Sequence, residues 1–273
     1  MNERILRHWG VLGMHWGVRK KYQNKDGSLT ELGNSVLKET RQPNGFLLKA
    51  DGTMVAPKGT NFQRLTYSAG VSRPLKDVAF VSINDFDNAR YIKELGFKKK
   101  FLTPQGRDQI LTIKVKKEIK APSLDEATRL HSELLLKNPE YQSKIRTYLT
   151  NESISKDDLN KIQKNPSGKE ALSWYREANI MLAADKEWYT EAPYLRETIK
   201  KEYLSKGWDS LRDENDSTNG MGVRAPMIIF DPEKSLKVVR MSEITDAVRL
   251  ANDEKLKAYA AIGKKWTESR IYN

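Results

Sequence analysis

Apolar and polar positions between Thr60 and Lys120 fall into short runs of strand type: Phe62 to Tyr67, Val78 to Ile83 and Gln109 to Ile119. In the last run Ile110, Thr112 and Lys114 alternate with Leu111, Ile113 and Val115, the period-2 pattern of a half-buried strand. Between the second and third runs, Phe86, Ala89, Ile92 and Leu95 recur at helical spacing, so a helix is predicted over Asp85 to Leu95, with Asp85 as N-cap and Gly96 as stop. From Ser123 to Lys206 the period becomes helical throughout and predicts three or four helices. Ser123 and Glu126 stand in capping-box spacing before Ala127, Leu130 and Leu134. Ala171, Trp174, Ala178, Met181 and Leu182 make one apolar stripe; Leu195, Ile199 and Tyr203 make another, which Gly207 ends. Strand-type runs return at Trp208 to Arg212, Met227 to Phe230 and Ser235 to Arg240, and a last helix covers about Glu243 to Ile262. Strands on both sides of a helical block share a sheet only if the block is an insertion or a packed layer, so the expected class is α+β.

Residues 1–60 lack such periodicity and carry turn signals at Pro43-Asn44-Gly45, Asp51-Gly52 and Pro57-Lys58-Gly59, which reads as an arm and a short hairpin. The expected organisation is an arm and turn-rich segment over 1–57, an α+β body over 58–241 with the helical block at 123–206, and a C-terminal helical segment over 242–273. With 273 residues and 38% hydrophobic positions the chain has material for a sizeable core. No apolar run approaches the roughly 20 residues of a membrane helix, and no secretory signal is read at the N-terminus. The absence of Cys excludes a disulfide framework, a thiolate nucleophile and Cys-ligated metal sites. With three His in the chain, no metal is expected.

The net charge of +12 is unevenly placed. Residues 1–120 hold 23 basic and 11 acidic side chains, whereas residues 121–273 hold 25 of each. A basic front beside a neutral remainder points to phosphate, on nucleic acid or on a ligand; a solvated face is the plainer alternative.

The most specific feature is His8-Trp9-Gly10-Val11-Leu12-Gly13-Met14-His15-Trp16-Gly17-Val18-Arg19, in which His-Trp-Gly-Val recurs after seven residues. Trp9, Leu12, Met14 and Trp16, with Arg19, suit a linear peptide that sets rigid anchors into a partner's pockets, or equally into its own core. This stretch resembles an N-terminal motif of tailed-phage head-module proteins, His-x-Gly-Val-Leu-Gly-x-x-Trp-Gly-Val-Arg, and the likeness runs on through Tyr22 to Thr30 and Gly33. What it implies is company: portal and capsid proteins as partners, and a place in the virion, in the head interior or at the portal, after assembly in the host cytoplasm.

Three further pieces lie in an order that resembles the ADP-ribosyltransferase-like domains of phage and polymorphic-toxin proteins. They are Lys58 to Leu65 with Arg64; Val78 to Ser82 followed by Asp85 to Tyr91; and Gly207-Trp208-Asp209-Ser210-Leu211, Asp213-Glu214-Asn215-Asp216 and Ala225 to Pro232. The family's Ser-Thr-Ser trio is not present as such, with Ser82 at the strand end, and its Glu-x-Glu pair is replaced by Asp213-Glu214-Asn215-Asp216. The resemblance implies an ADP-ribosyltransferase-like mixed sheet with NAD as substrate. Cleaving the nicotinamide–ribose bond develops positive charge on the ribose, so a carboxylate is needed near it and a cation at the diphosphate. The implied roles are Arg64 on the diphosphate, Ser82 orienting the ribose, Glu214 holding the ribose hydroxyl and assisting the nucleophile, and Tyr91 or Phe62 stacking on nicotinamide.

Lys98-Lys99-Lys100, with Lys114, Lys116, Lys117 and Lys120 further on, suits contact with a DNA backbone, or protection of an edge strand. His131, between Leu130 and Leu134, reads as a core-edge residue. Three functions follow: a virion-associated protein docking through its N-terminal motif and carrying a transferase-like domain, an active mono-ADP-ribosyltransferase acting on a host protein, and a structural head component contacting packaged DNA.

Overall fold

The computed structural model describes residues 39–41, 46–49, 51–66, 78–82, 85–95, 109–147, 152–183, 189–215 and 226–271. The docking residues Trp9, Leu12, Met14, Trp16 and Arg19, the DNA-backbone residues Lys98, Lys99 and Lys100, and the turn at Pro43 lie outside them.

The strands are β1 (Glu39–Arg41), β2 (Leu47–Lys49), β3 (Met54–Ala56), β4 (Asn61–Thr66), β5 (Ala79–Val81), β6 (Gln109–Val115), β7 (Ile119–Ala121), β8 (Ser210–Arg212), β9 (Met227–Ile229) and β10 (Leu236–Glu243). They form three sheets, ordered β1-β2-β3-β7, β10-β6-β4 and β5-β9-β8. Two backbone links join the three. Gln63 and Ser82 form an isolated antiparallel bridge between β4 and the end of β5, and the Asp209 N–H donates to the Lys120 carbonyl at 3.0 Å where β8 meets β7.

The helices are α1 (Asp85–Leu95), α2 (Leu124–Lys137), α3 (Pro139–Lys144), α4 (Lys156–Lys164), α5 (Lys169–Ala183), α6 (Ala192–Ser205), the short α7 (Pro232–Ser235) and α8 (Asp246–Ile271). The chain leaves the sheets at Ala121 and re-enters them at Asp209, beside Lys120. The helical block is therefore an insertion at one point of the sheet system. The class is α+β, as the pattern predicts. The sheets are not mixed: every strand pair among the described residues is antiparallel. Neighbours such as β2 and β3 reverse through a tight turn with Gly52 at φ 85°, and the helices serve as an excursion instead of a crossover between parallel strands.

Local signals explain most boundaries. Ser123 accepts from the Glu126 N–H and starts α2, and Ser155 and Asp158 close a reciprocal capping box on α4. Asn138 ends α2 and caps α3 through Tyr141. Gly207, at φ 82°, follows the Lys206 cap of α6 in the conformation that glycine adopts without strain. The predicted strand over Gln109 to Ile119 is two strands. After Val115 the Lys116 N–H donates to the Ser235 carbonyl, Lys116 to Glu118 bend, and Ile119 enters the β3 sheet.

Two large cores flank β5-β9-β8. Phe80, Leu211, Ile228 and Phe230 pack with the helical block around Leu130, Leu135, Tyr175 and Tyr203. Ala79, Val81, Met227 and Ile229 pack with Phe62, Leu111, Ile113, Met54 and Ile119 of the other two sheets. Phe46, Met54 and Ala56 belong to that second core, so part of the 1–57 segment is built into the body. A small cluster of Leu65, Tyr91, Ile92 and Ile244 seats α1 and the start of α8 on β4, and the Asn252 side-chain amide donates to the Ala89 carbonyl at 2.8 Å.

Candidate functional site

Register and side-chain alternation locate the site residues that the sequence singles out. Arg64 pairs with Leu111 and Phe62 with Ile113, so Arg64 lies on the core-side face of β4, beyond Phe62. In the neighbouring sheet Arg212, Met227 and Val81 share one row, and Met227 and Val81 face the same core. Arg212 therefore projects from the face on which Arg64 lies. Glu214 forms an ion pair with Arg212 through its Oε1. One guanidinium from β4, another from β8 and the carboxylate just past β8 thus share the core-side face of the joined sheets.

Ser82 connects the two halves. The Gln63 N–H donates to the Ser82 carbonyl at 3.2 Å and the Ser82 N–H to the Gln63 carbonyl at 2.7 Å. On the far side the Asp213 N–H donates to the Pro226 carbonyl at 2.9 Å, so Asp213, Pro226, Ser82 and Gln63 stand at one level across four strands. At about 4.8 Å per strand, Asp213 is about 10 Å from Ser82 and about 14 Å from Gln63, the residue before Arg64. Segments separated by more than a hundred positions in sequence meet within a ligand's length.

The helical block supports the carboxylate. The Glu214 N–H donates to Asn179 Oδ1 at 2.8 Å, and the Tyr175 hydroxyl donates to the Arg212 carbonyl at 2.5 Å. Burial, then the charges of Glu214 and Asp213, push the Tyr175 hydroxyl well above its usual pKa, which keeps it a neutral donor. Asp213 is buried and accepts from the Asn215 N–H at 3.1 Å, the turn that aims Glu214 back towards Arg212. Sequence reasoning missed Arg212, Tyr175 and Asn179. The last two lie four residues apart on α5, flanking the Trp174 and Ala178 stripe, so helical spacing was the available signal.

Not every expected residue joins this set. Phe62 is 1% exposed inside the sheet core, where it packs against protein, so stacking on a ligand is not carried forward for it. Tyr91 is buried against Leu65, which alternates with Arg64 and so lies on the opposite face of β4, away from the Arg64 side. His131, expected at the core edge, is 1% exposed and lies in the core. Its Nε2 is 3.0 Å from the Tyr141 hydroxyl, and burial holds its pKa down to about 3, so the ring is neutral. Among the described residues no group of three His, Asp or Glu side chains is placed to hold a metal ion, and no helix is long and apolar enough to cross a membrane.

The donor set has a definite chemistry. One guanidinium paired with a carboxylate and a second guanidinium on the same face, three strand spacings or about 14 Å away, suit an anionic diphosphate joined to a sugar, because planar forks take phosphate oxygens and a carboxylate takes sugar hydroxyls. Comparison with known proteins adds one match. A family of unknown function, DUF7211, covers residues 2–23, the stretch with the His-Trp-Gly-Val repeat. No curated protein and no solved structure matches the chain.

Proposed function

We propose that this is a virion-associated phage or prophage protein that docks to head or portal proteins through its N-terminal motif and carries an ADP-ribosyltransferase-like domain able to bind NAD. The observation that carries the reading is that Arg64 and the Arg212–Glu214 ion pair lie on one face of the joined sheets, which the Ser82 backbone links to β4 through its bridge with Gln63. The family match covers 2–23, the stretch that carries the motif.

In this reading Arg64 and Arg212 hold the diphosphate. Glu214 exchanges Arg212 for the ribose hydroxyls and stabilises the charge that grows at C1′ as the bond to nicotinamide breaks. Nicotinamide leaves with the electron pair, and a nucleophile from water or a host protein takes its place at C1′. The purified protein should release nicotinamide from NAD or transfer labelled ADP-ribose, and Glu214→Gln should abolish this while the fold survives. Equal activity in wild type and variant removes Glu214 from the site. Deleting residues 1–20 should abolish incorporation into particles, and retention of the truncated protein in purified virions would refute the docking role.

A further inference from the structure

The outer face of β10-β6-β4, opposite the Arg64 side, carries cations that no described residue neutralises. Lys237 stands directly across from Lys114, with Asn61 next in the row. One step further, Arg240 stands across from Thr112, with Gln63 beyond. A register shift between Val238 and Arg240 makes Val239 the extra residue of a bulge. Without that bulge Arg240 would fall on the core side of the sheet; with it, Arg240 joins Lys237 and Lys114.

Lys58 flanks the row in the turn before Gly59, whose backbone N–H donates to the Val115 carbonyl at 2.9 Å. All four cations are exposed, and none forms an ion pair with a described residue. Their neighbours in sequence behave otherwise. Lys117 pairs with Asp209, Lys120 pairs with Glu118, and Lys116 donates to the Glu233 carbonyl. Like charges directly opposite on a sheet cost stability, so this face holds repulsion that an external anion would relieve.

We propose that this face binds double-stranded DNA through its phosphate backbone, without base readout. A repeating anion matches cations about 5 Å apart across strands and about 7 Å apart along them, while Thr112 offers a polar side chain between. The proposal needs neither NAD nor the N-terminal arm.

The test is fluorescence anisotropy on the full chain with a labelled random-sequence duplex, from about 50 to 200 mM salt. Two variants of equal charge change are compared: Lys114→Glu/Lys237→Glu/Arg240→Glu on the sheet, and Lys164→Glu/Lys201→Glu/Lys206→Glu on exposed positions of the helical block. The sheet variant should lose at least tenfold in affinity at low salt and reduce the slope of log K against log salt by about 3, close to 0.9 per lost contact. The helical variant should keep most of both. Equal losses in the two variants would reduce the effect to net charge and overturn the proposal, as would no binding by the wild type. Competition by poly-glutamate as strong as by DNA, at equal charge concentration, would assign the face to acidic proteins instead and overturn it as well.

Discussion

The helical block and the outer face of β10-β6-β4 are both rich in basic residues, yet they treat their charges in opposite ways. On the block, Arg129 lies between Glu126 and Glu133, Lys137 pairs with Glu133, Lys144 with Glu140 and Glu191, and Lys161 with Asp157. Most of these pairs are three or four residues apart, a spacing that helix geometry brings together without help from the rest of the fold. On the sheet, Lys114 meets Lys237, a partner more than a hundred residues away. Many charges of the block are thus paired locally, whereas the outer face gathers Lys58 and Lys114 from the basic front and Lys237 and Arg240 from the balanced remainder.

The same contrast holds inside the protein. The block buries neutral polar groups with partners of their own: the Tyr203 hydroxyl donates to the Ala127 carbonyl at 2.6 Å, and Ser132 donates to the Pro166 carbonyl at 2.7 Å. The sheet side buries a charged pair, Arg212 and Glu214. Neutral buried groups read as architecture. The buried charge pair at the meeting of strands is the feature on which the proposed ligand site rests.

Breaking the charged side should have the largest effect. Arg212→Leu removes the ion-pair partner of the buried Glu214 carboxylate and should cost about 4 kcal/mol of stability in urea unfolding. Tyr203→Phe, by removing one neutral hydroxyl, should cost about 1 kcal/mol. If the two cost the same, the contrast between a charged and a neutral interior fails.

The His131 ring gives the block its own pH dependence. Its pKa is near 6.5 unfolded and about 3 folded, so unfolding takes up a proton. Its contribution is full above pH 6.5 and is lost as pH falls from there towards 3, reaching about 3 kcal/mol by pH 4. His131→Phe should flatten that part of the profile measured by denaturant unfolding at pH 7 and pH 4; an unchanged profile would mean that the ring is not held neutral. The smallest effect is expected on the outer face, where Lys237→Glu should raise stability by about 0.5 kcal/mol at low salt, by replacing repulsion across the strands with attraction.

Much of this architecture was legible in the sequence. The helix over Asp85–Leu95, the Ser123 cap and the Gly207 stop all follow from local chemistry that the fold leaves intact, whereas the choice between an inserted and a packed helical block is made by the pairing of Asp209 with Lys120. What was not legible depends on pairing between distant strands. The break in Gln109 to Ile119 comes from Ser235 and from β3, each contributing a hydrogen bond that no periodicity announces. The strand Ser235 to Arg240 was read without its bulge, and only the bulge decides which way Arg240 faces. At the candidate site, Arg64, Ser82 and Glu214 came from a resemblance; the fold sets the strand of Arg64 beside that of Ser82, with β9 between Ser82 and the strand that leads to Glu214. Arg212 stayed hidden because a lone Arg in a short strand has no signal until its carboxylate is known.

The central claim is that the core-side face carrying Arg64, Arg212 and Glu214 is an NAD site, and calorimetric titration of the full chain with NAD tests it most directly. The wild type should show saturable binding of one NAD, weakened at least tenfold in a folded Arg64→Gln variant by loss of a charge-assisted phosphate contact. Absence of saturable binding by the wild type, or equal affinity in the two proteins, would contradict it.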